Sequence, residues 1–518
     1  MNPRAKKILL LLLAAVLLAG SGQMQKALNR DRERLGLTRM NALENAPPVL
    51  AFTTVALGGF RGLIANALWI RANDLQNDDK FFEAAQLASW ITDLEPSFTQ
   101  VWLFQGWNMA YNISVKFKDY PDRWRWVERG IELLRDEGLR YNPDDLLIHR
   151  ELAWFFQHKM GQNLDDANAY YKQQWAFEMM PFFGPRGTNF SELINPTTAE
   201  ARTNAQVLRE KFKMDPVFAQ KIDEQYGPLD WRLPEAQAIY WGAVGLQKAK
   251  EHPDKVKPDD LITLRRIIYQ SMLQAFHHGR IIDDPFAKTS SLEPNLDLVG
   301  KVNDAYVTLM NEDEKYRDHI ATAHRNFLKD AVYFLYENNR VAEAAKWFKV
   351  LGEKYPDKYL LDNDPNSFPR NVTLDEYAVA RVQSELGDTS QERITGVIEG
   401  LIARSYYELA IGQEDRSVGF RLLARKVYDN YTKKISSMKS NFDRVGLPPF
   451  DVMNRNVLNK LLATQPPVLP YAARAVLRTQ LGLPVETAAP PSGTASINAP
   501  SATVTNAVDT ASTNSAAQ

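Results

Sequence analysis

Seven histidines are the first residues to consider for metal binding or acid–base chemistry. His319 and His324 lie five residues apart, whereas a helical zinc site places two histidines four residues apart on one face. His277 and His278 are adjacent, so their side chains point in different directions. The spacing predicts histidines at the surface or at the boundary of the core, and no metal site.

The segment DNDPNSFPRNVT, from Asp362 to Thr373, begins like a calcium-binding loop, with oxygen-bearing side chains at alternate positions. The pattern then fails, because Ser367 stands where the sharp turn requires glycine. Thr373 likewise stands where a bidentate glutamate belongs. Since Pro365 and Pro369 also interrupt the segment, we interpret it as a loop between helices.

Two acidic pairs, Asp144-Asp145 and Asp165-Asp166, stand at predicted helix starts, where carboxylates cap the helix and interact favourably with its dipole. In the stretch DRWRWVERG we expect Arg125 to pack against a tryptophan ring, with a surface for an acidic partner as the alternative. The chain has no glycine-rich phosphate loop, nucleophile elbow or zinc-protease motif. The sequence therefore predicts no catalytic, cofactor-binding or metal-binding residue, and we do not expect an enzyme.

The composition excludes several classes of function. The 518 residues carry 62 Lys and Arg against 63 Asp and Glu, so no global field attracts nucleic acid. The chain has no cysteine, which excludes disulfides, thiol catalysis, iron–sulfur clusters and cysteine-based zinc sites. Its 11 Trp, 20 Tyr and 24 Phe are interpreted mainly as core residues between packed helices.

Residues 1–22, MNPRAKKILLLLLAAVLLAGSG, have the order of an export signal: a basic start, an apolar run from Ile8 to Ala19 and a small-residue exit. As a helix the apolar run is roughly 20 Å long, short for a hydrocarbon core of roughly 30 Å. Both a cleaved signal peptide and an uncleaved signal anchor therefore stay open. Ser21 stands where a lipoprotein carries its lipidated cysteine, so we expect no lipid anchor of that type.

The apolar stretch from Ala56 to Gln76 also carries Arg61, Arg71 and Asp74. Charges near the centre of a bilayer cost a few kcal/mol each, and this stretch would place several there. We expect an amphipathic helix that opens a soluble helical domain, with docking of its first residues at the membrane interface as the alternative.

Pairs of predicted helices follow from Ile64 onward. The second helices of the first three pairs stop at Pro96, Pro143 and Pro181. In the second pair we expect an expanded loop around Tyr120-Pro121. Small residues inside helices that end in proline at regular intervals are a repeat signature.

This pattern resembles the tetratricopeptide repeat (TPR), in which small residues mark the helix crossings. The best match is FLKDAVYFLYENNRVAEAAKWFKVLGEKYP, from Phe327 to Pro356, where Ala344 fits a small position and Phe348 the bulky one. The other small positions are matched by Ala72 and Ala84, by Gly106 and Gly138, and by Ala169 and Ala176. A degenerate pair is predicted over residues 400–431.

The segment YGPLDWRLPEAQAIYWGAVGLQKAK, from Tyr226 to Lys250, resembles a part of bacterial membrane-anchored repeat proteins of unassigned activity. This segment and the stretch from Leu261 to Arg280 are predicted as two helices, and YGPLDWRLP as an ordered entry loop.

The TPR resemblance implies an all-α fold, a right-handed α-solenoid of TPR-like helical hairpins that stack because one hairpin cannot bury its own face. The predicted parts are a signal peptide or anchor (1–22), a linker (23–55), TPR-like hairpins (56–188), an irregular helical middle region (189–320), TPR-like hairpins (321–434), a C-terminal helical cap (435–484) and a disordered low-complexity tail (485–518).

The expected function is a membrane-tethered helical-repeat scaffold that mediates protein–protein interaction in a membrane or envelope complex. It would hold a protein or an extended peptide in its concave groove and contact the membrane through the N-terminal helix, with no nucleic acid as partner. The alternatives are an exported glycan-binding protein similar to SusD-like lipoproteins, against which the missing lipidated cysteine argues, and an enzyme with its site in the middle region. The oligomeric state stays open.

The expected location is the bacterial inner membrane, with a single N-terminal anchor and an exported body. A cleaved signal with a periplasmic protein, or a cytoplasmic body, are the alternatives, because basic residues flank the apolar run on both sides.

Overall fold

The computed structural model describes residues 60–484, apart from gaps at 254–255, 287–288, 363, 385–390, 437–446 and 465, together with a few residues between 16 and 31. Most of these residues are helical, and two short strands, β1 Arg280–Asp284 and β2 Thr289–Glu293, pair with each other. The predicted all-α class is confirmed at this level. The chain forms two compact units, Met1–Ile282 with Ser290–Ala331, and Asp283–Thr289 with Val332–Gln518.

Short turns join most helices of the first unit. These helices are α1 Phe60–Asn77, α2 Phe81–Leu94, α3 Thr99–Trp107, α4 Tyr120–Glu132, α5 Leu146–Trp154, α6 Asn168–Phe183, α7 Ser191–Ile194, α8 Ala199–Glu210, α9 Pro216–Tyr226, α10 Pro234–Glu251, α11 Pro258–His278 and α12 Val299–Glu312. The next helix, α13 Arg317–Glu337, has residues in both units.

The helices of the first unit pack largely in sequence order. Helix α1 packs on α2, α2 on α3, and α3 on both α4 and α5. Helix α10 packs against α5 and forms a hairpin with α11, so α7, α8 and α9 are inserted before this hairpin. The two helices predicted within residues 226–280 are confirmed as α10 and α11.

Three helices of the first unit continue directly into π-helical segments: π1 Asn108–Ile113 after α3, π2 Leu133–Gly138 after α4, and π3 Phe155–Met160 after α5. Backbone hydrogen bonds across five residues close these wider turns, as between the Gly161 N–H and the Phe156 carbonyl at 2.9 Å. Such turns are rare and often lie at functional sites. Segments π1 and π3 contact each other.

Small residues allow close helix approach in the first two hairpins, as predicted. Ala72 on α1 and Ala84 on α2 are fully buried. A methyl group on Gly130 of α4 would lie only 2.9 Å from the Gly106 carbonyl oxygen of α3, so these two glycines set the closest approach. Gly138 faces Ile148 instead. The helical pattern predicted Gly106 at a crossing but not Gly130.

The second hairpin differs from the prediction at its turn. Tyr120 and Pro121 are the first residues of α4, where proline is favourable because its missing N–H has no partner inside a helix. Only residues 117–119 separate α4 from the preceding 3₁₀ turn, Ser114–Lys116. The predicted expanded loop is therefore wrong.

The third hairpin also differs. Ala169 is exposed and Ala176 half-buried, because α6 turns large side chains such as Trp175 and Met179 inward. Pro181 lies inside α6 and costs one helical hydrogen bond near its end. The helix stops only at Gly184, whose φ of 69° suits glycine.

The predicted entry loop before α10 is confirmed and lies in the core. Trp231 and Arg232 are almost fully buried, and the backbone N–H of Trp231 donates to the Gly187 carbonyl at 2.9 Å. The Arg232 guanidinium is neutralised by Asp230 through two hydrogen bonds, Nε to Oδ1 at 2.8 Å and Nη2 to Oδ2 at 2.6 Å. The peptide bond between Gly227 and Pro228 is cis.

The second unit continues with α14 Val341–Lys354, α15 Leu374–Ser384, α16 Gln391–Ala410, α17 Glu414–Ser436, α18 Phe450–Leu462 and α19 Tyr471–Gln480. Helices α16 and α17 form the hairpin predicted over 400–431, with Gly412 at a φ of 80° in the turn. Helix α16 also packs on α18 and α19. Ala344 of α14 is fully buried, as predicted, and Phe348 is half-buried.

The predicted signal or anchor and the linker lie largely outside the described residues, and the tail at 485–518 lies entirely outside them. No helix among the described residues is long and apolar enough to cross a membrane. The stretch from Ala56 to Gln76 is helical from Phe60 onward, as expected for the first helix of the domain. Phe60, Leu63 and Ile70 of this helix are exposed.

Candidate functional site

Segments π1 and π3 bring an aromatic hydroxyl and an imidazole together. The hydroxyl of Tyr111 on π1 lies 3.1 Å from Nδ1 of His158 on π3. Burial, and then the charge of Lys159, lower the pKa of His158, so its neutral imidazole can accept a hydrogen bond from Tyr111 at neutral pH. Burial raises the pKa of Tyr111, and the nearby carboxyl of Glu151 raises it further, so this phenol stays protonated.

Each of these two rings stacks on a tryptophan one turn earlier in its own helix. Trp107 and Tyr111 stack with ring centroids 5.1 Å apart and planes 17° apart. Trp154 and His158 stack at 4.5 Å and 13°. Trp107 is 39% exposed and the other three rings are half-buried. We call the side chains of Trp107, Tyr111, Glu151, Trp154 and His158 the aromatic face.

Glu151 is the acidic member of the aromatic face. It lies on α5, three residues before Trp154, and is half-buried. Burial raises its pKa to about 7, and the charge of Arg150 offsets this only in part. No hydrogen bond or ion pair joins the Glu151 carboxyl to another residue within the part of the chain that the structure describes. This carboxyl therefore titrates near neutral pH without an internal partner.

A charged cluster lies next to the aromatic face. The buried carboxylate of Asp165 accepts hydrogen bonds from Lys159 Nζ at 2.6 Å, Arg123 Nη1 at 3.1 Å and the Tyr171 hydroxyl at 3.2 Å. Burial raises the pKa of Asp165, but the hydrogen bonds from Lys159 and from a backbone N–H outweigh burial and hold the pKa below its usual range. Asp166 pairs with the same Arg123.

The predicted capping roles divide between the two acidic pairs. Asp145 caps α5, because its carboxylate accepts a hydrogen bond from the Leu147 N–H at 2.9 Å. Asp165 also accepts a hydrogen bond from a backbone N–H at the start of α6, that of Ala167 at 2.9 Å, but it is the centre of the charged cluster as well, so capping is only part of its role. Its partners Lys159 and Arg123 come from π3 and α4, which a reading of local spacing does not reveal.

The histidines differ from the prediction in two cases. His319 is exposed, but His149 and His324 are buried. His324 Nε2 lies 3.0 Å from Asn303 Oδ1, and His149 Nε2 lies 3.0 Å from the Pro143 carbonyl oxygen. Each imidazole thus has one hydrogen-bonded ring nitrogen, which offsets part of the cost of burial. Nδ1 of His149 is buried with no hydrogen-bond partner among the described residues.

The calcium-like segment is a loop between α14 and α15, as predicted. Ser367 is fully buried; its hydroxyl accepts from the Leu361 N–H at 2.9 Å and donates to the Asp364 carbonyl at 2.5 Å. Thr373 and Glu376 form a reciprocal cap at the start of α15, with the Thr373 N–H donating to Glu376 at 2.8 Å. The local hydrogen bonds explain these polar residues.

Arg125 is exposed and pairs with Asp122 at 2.9 Å, so its expected packing against a tryptophan ring is wrong. Its neighbour Trp126 stacks on Phe117, with centroids 6.2 Å apart and planes 23° apart.

Among the described residues, Asp144, Glu251 and His252 form the one group whose ligand atoms lie close enough to share a metal ion. The ammonium of Lys248 lies 3.1 Å from Asp144 Oδ1 and 2.9 Å from Glu251 Oε2. A metal ion would have to displace this ammonium, so the arrangement is an ion-pair cluster.

A pocket of about 300 Å³ lies beside α6, α7 and α8. It is lined by Pro181, Phe182, Asn189, Glu192, Leu193, Thr198, Glu200, Ala201 and Asn204. Glu192 accepts from the Thr197 hydroxyl at 3.1 Å, and Asn204 donates to the Pro181 carbonyl at 3.1 Å. These polar groups hold the local fold and do not by themselves supply a catalytic pair.

The sequence contained a signal for the aromatic face that pattern reasoning missed. An aromatic ring follows Trp107 by four residues, and an imidazole follows Trp154 by four. Side chains four residues apart meet on one side of a helix, so each pair is a predictable stack. The contact between the stacks requires the packing of α3 and π1 on α5 and π3.

Comparisons with protein-family models, curated proteins and solved structures return no match. The helical hairpins and the aromatic face are therefore the features from which a function can be inferred.

Proposed function

We propose that this chain is a membrane-tethered helical-repeat scaffold that mediates protein–protein interaction in a membrane or envelope complex. Its hairpins are TPR-like and stack into a right-handed α-solenoid, whose concave groove holds a protein or an extended peptide. One observation carries the proposal: the first helices of two adjacent hairpins place the Trp107–Tyr111 and Trp154–His158 stacks side by side.

The chemistry of the aromatic face supports a partner polypeptide. Tryptophan and tyrosine provide large contact areas at low entropic cost and are enriched among the residues that dominate binding energy. The face combines four rings with a titratable carboxyl, which suits a segment that carries both apolar and polar side chains. Helices that pack on their sequence neighbours are also what stacked repeats require.

The start of the helical body supports attachment near a membrane. Phe60, Leu63 and Ile70 form an exposed apolar stripe on α1, which directly follows the proposed anchor and linker. Such a stripe suits the interfacial region of a bilayer. We place the protein in the bacterial inner membrane with one N-terminal anchor and an exported body.

The same face favours one second candidate, a glycan-binding protein, since half-exposed tryptophan rings also stack on sugar rings. Titration with oligosaccharides, followed by tryptophan fluorescence, distinguishes this candidate. A saturable change that disappears in Trp107→Ala/Trp154→Ala would favour the glycan over the protein partner.

The test of the scaffold is affinity capture of the tagged full-length chain from crosslinked membranes, read by mass spectrometry. Three variants accompany it: deletion of residues 1–22, Trp107→Ala/Trp154→Ala, and Trp90→Ala as the matched control. Trp90 is 50% exposed on α2 and lies outside the aromatic face. We expect a reproducible partner that Trp90→Ala keeps and the other two variants lose.

The outcomes separate the parts of the proposal. A partner retained by Trp107→Ala/Trp154→Ala would place binding elsewhere on the chain. A partner retained after deletion of residues 1–22 would remove the need for the membrane tether. Enrichment of no protein in any sample would overturn the scaffold.

A further inference from the structure

Glu151 is a carboxyl of the aromatic face that no cation of the described residues pairs with. Its charge acts on Tyr111, and it lies on α5 three residues before Trp154, which stacks on His158. The carboxyl has no hydrogen-bond donor or ion-pair partner among the described residues. With a pKa of about 7 the carboxyl is partly ionised at neutral pH, and a cationic ligand would favour its ionised form.

The other charges at this place neutralise one another. Lys159 and Arg123 both pair with the buried Asp165, and Arg123 also pairs with Asp166. Two cations thus face two carboxylates within one cluster. Glu151 is therefore the carboxyl that a ligand at the aromatic face meets without an internal partner. The charge of Arg150, its neighbour in sequence, acts on it.

The rings already hold one cation of the chain. Lys159 Nζ lies 5.1 Å from the centroid of Tyr111, within the range of a cation–π contact. Tyr111 is also covered by Trp107, so the ring surface that remains for a ligand belongs to Trp107 and Trp154. Tryptophan is the ring that attracts cations most strongly.

We infer that the aromatic face binds an arginine side chain of the partner polypeptide, with the guanidinium stacked on Trp107 or Trp154 and hydrogen-bonded to the Glu151 carboxylate. The inference rests on the proposed function and names the side chain that this face recognises. Arginine fits better than lysine, because its planar guanidinium stacks on aromatic rings and presents paired donors to a carboxylate.

The test uses the full-length chain in mild detergent, labelled with 5-fluorotryptophan and observed by ¹⁹F NMR. Trp107→Phe and Trp154→Phe assign the two resonances. The probes are N-acetyl-arginine amide and its neutral isostere N-acetyl-citrulline amide. We expect saturable shifts of both resonances with the arginine probe, and affinity lower by about tenfold or more for citrulline, as for loss of a charge-assisted hydrogen bond.

Glu151→Gln should lower the affinity for the arginine probe by a similar factor, while Glu178→Gln, another half-buried carboxyl of the first unit, should not. The remaining tryptophan resonances report whether each variant is folded. Equal affinity for the two probes, unchanged affinity in Glu151→Gln, or absence of a saturable shift would each overturn the inference. If Glu151→Gln keeps the captured partner and Trp107→Ala/Trp154→Ala loses it, the scaffold stands and the arginine assignment fails.

Discussion

Glu151 is the residue of the aromatic face whose charge should change near neutral pH. Its folded-state pKa of about 7 lies above the ordinary value of 4.5, because burial disfavours the ionised form. Its contribution to stability is therefore fully present below pH 4.5 and is lost as the pH rises through 7. We expect Glu151→Gln to abolish this loss. Between pH 5 and pH 8, the free energy of unfolding of the variant should therefore rise by about 2 to 3 kcal/mol relative to that of the wild type.

Urea unfolding of both proteins at the two pH values measures this difference. Glu83→Gln is the control, since Glu83 is exposed on α2. A difference between wild type and Glu151→Gln that stays the same at pH 5 and pH 8 would show that the Glu151 carboxyl does not titrate in this range in the folded protein.

At the scale of single residues, the sequence predicted those features that depend only on residues close by in the sequence. Buried Ala72, Ala84 and Ala344 follow from helical periodicity, and the Asp145 cap follows from its place before a helix. The ion pairs of Asp165 were not predicted, because its partners come from other helices, which only packing brings together.

Ala344 tests the crossing of α14 at the scale of an element. It is fully buried, while its neighbour Ala345 is exposed on the same helix. We expect Ala344→Trp to destabilise the second unit by roughly 1–3 kcal/mol or more, because an indole cannot fit a closely packed crossing. Ala345→Trp should change stability by less than about 0.5 kcal/mol. Thermal unfolding followed by circular dichroism compares them, and equal melting curves would remove Ala344 from the helix interface.

The elements themselves were largely predictable, while their irregularities were not. Proline stops and apolar periodicity predicted α2, α4, α14 and the hairpin of α16 with α17. The segments π1, π2 and π3 were missed, because a wider turn changes the hydrogen-bond register and leaves no residue-type signature. The consequence reaches the candidate site, since π1 carries Tyr111 and π3 carries His158.

At the scale of the whole molecule, each of the two units has its own buried residues, and the tryptophans are distributed unequally between the units. Trp347 is in the second unit, and the other ten of the 11 tryptophans are in the first. The fully buried Leu423 on α17 belongs to the second core, and the fully buried Leu134 on π2 to the first. Tryptophan fluorescence should therefore report mainly on unfolding of the first unit, so a substitution in one core can be distinguished from a substitution in the other.

We expect Leu423→Ala to destabilise its unit by about 2–5 kcal/mol, as for other large-to-small core substitutions, and to shift the urea transition seen by circular dichroism. The transition seen by tryptophan fluorescence should stay in place, because that signal comes mainly from the first unit. Leu134→Ala, the matched substitution, should shift the fluorescence transition. If Leu423→Ala shifts both signals equally, the two units unfold together as one cooperative structure.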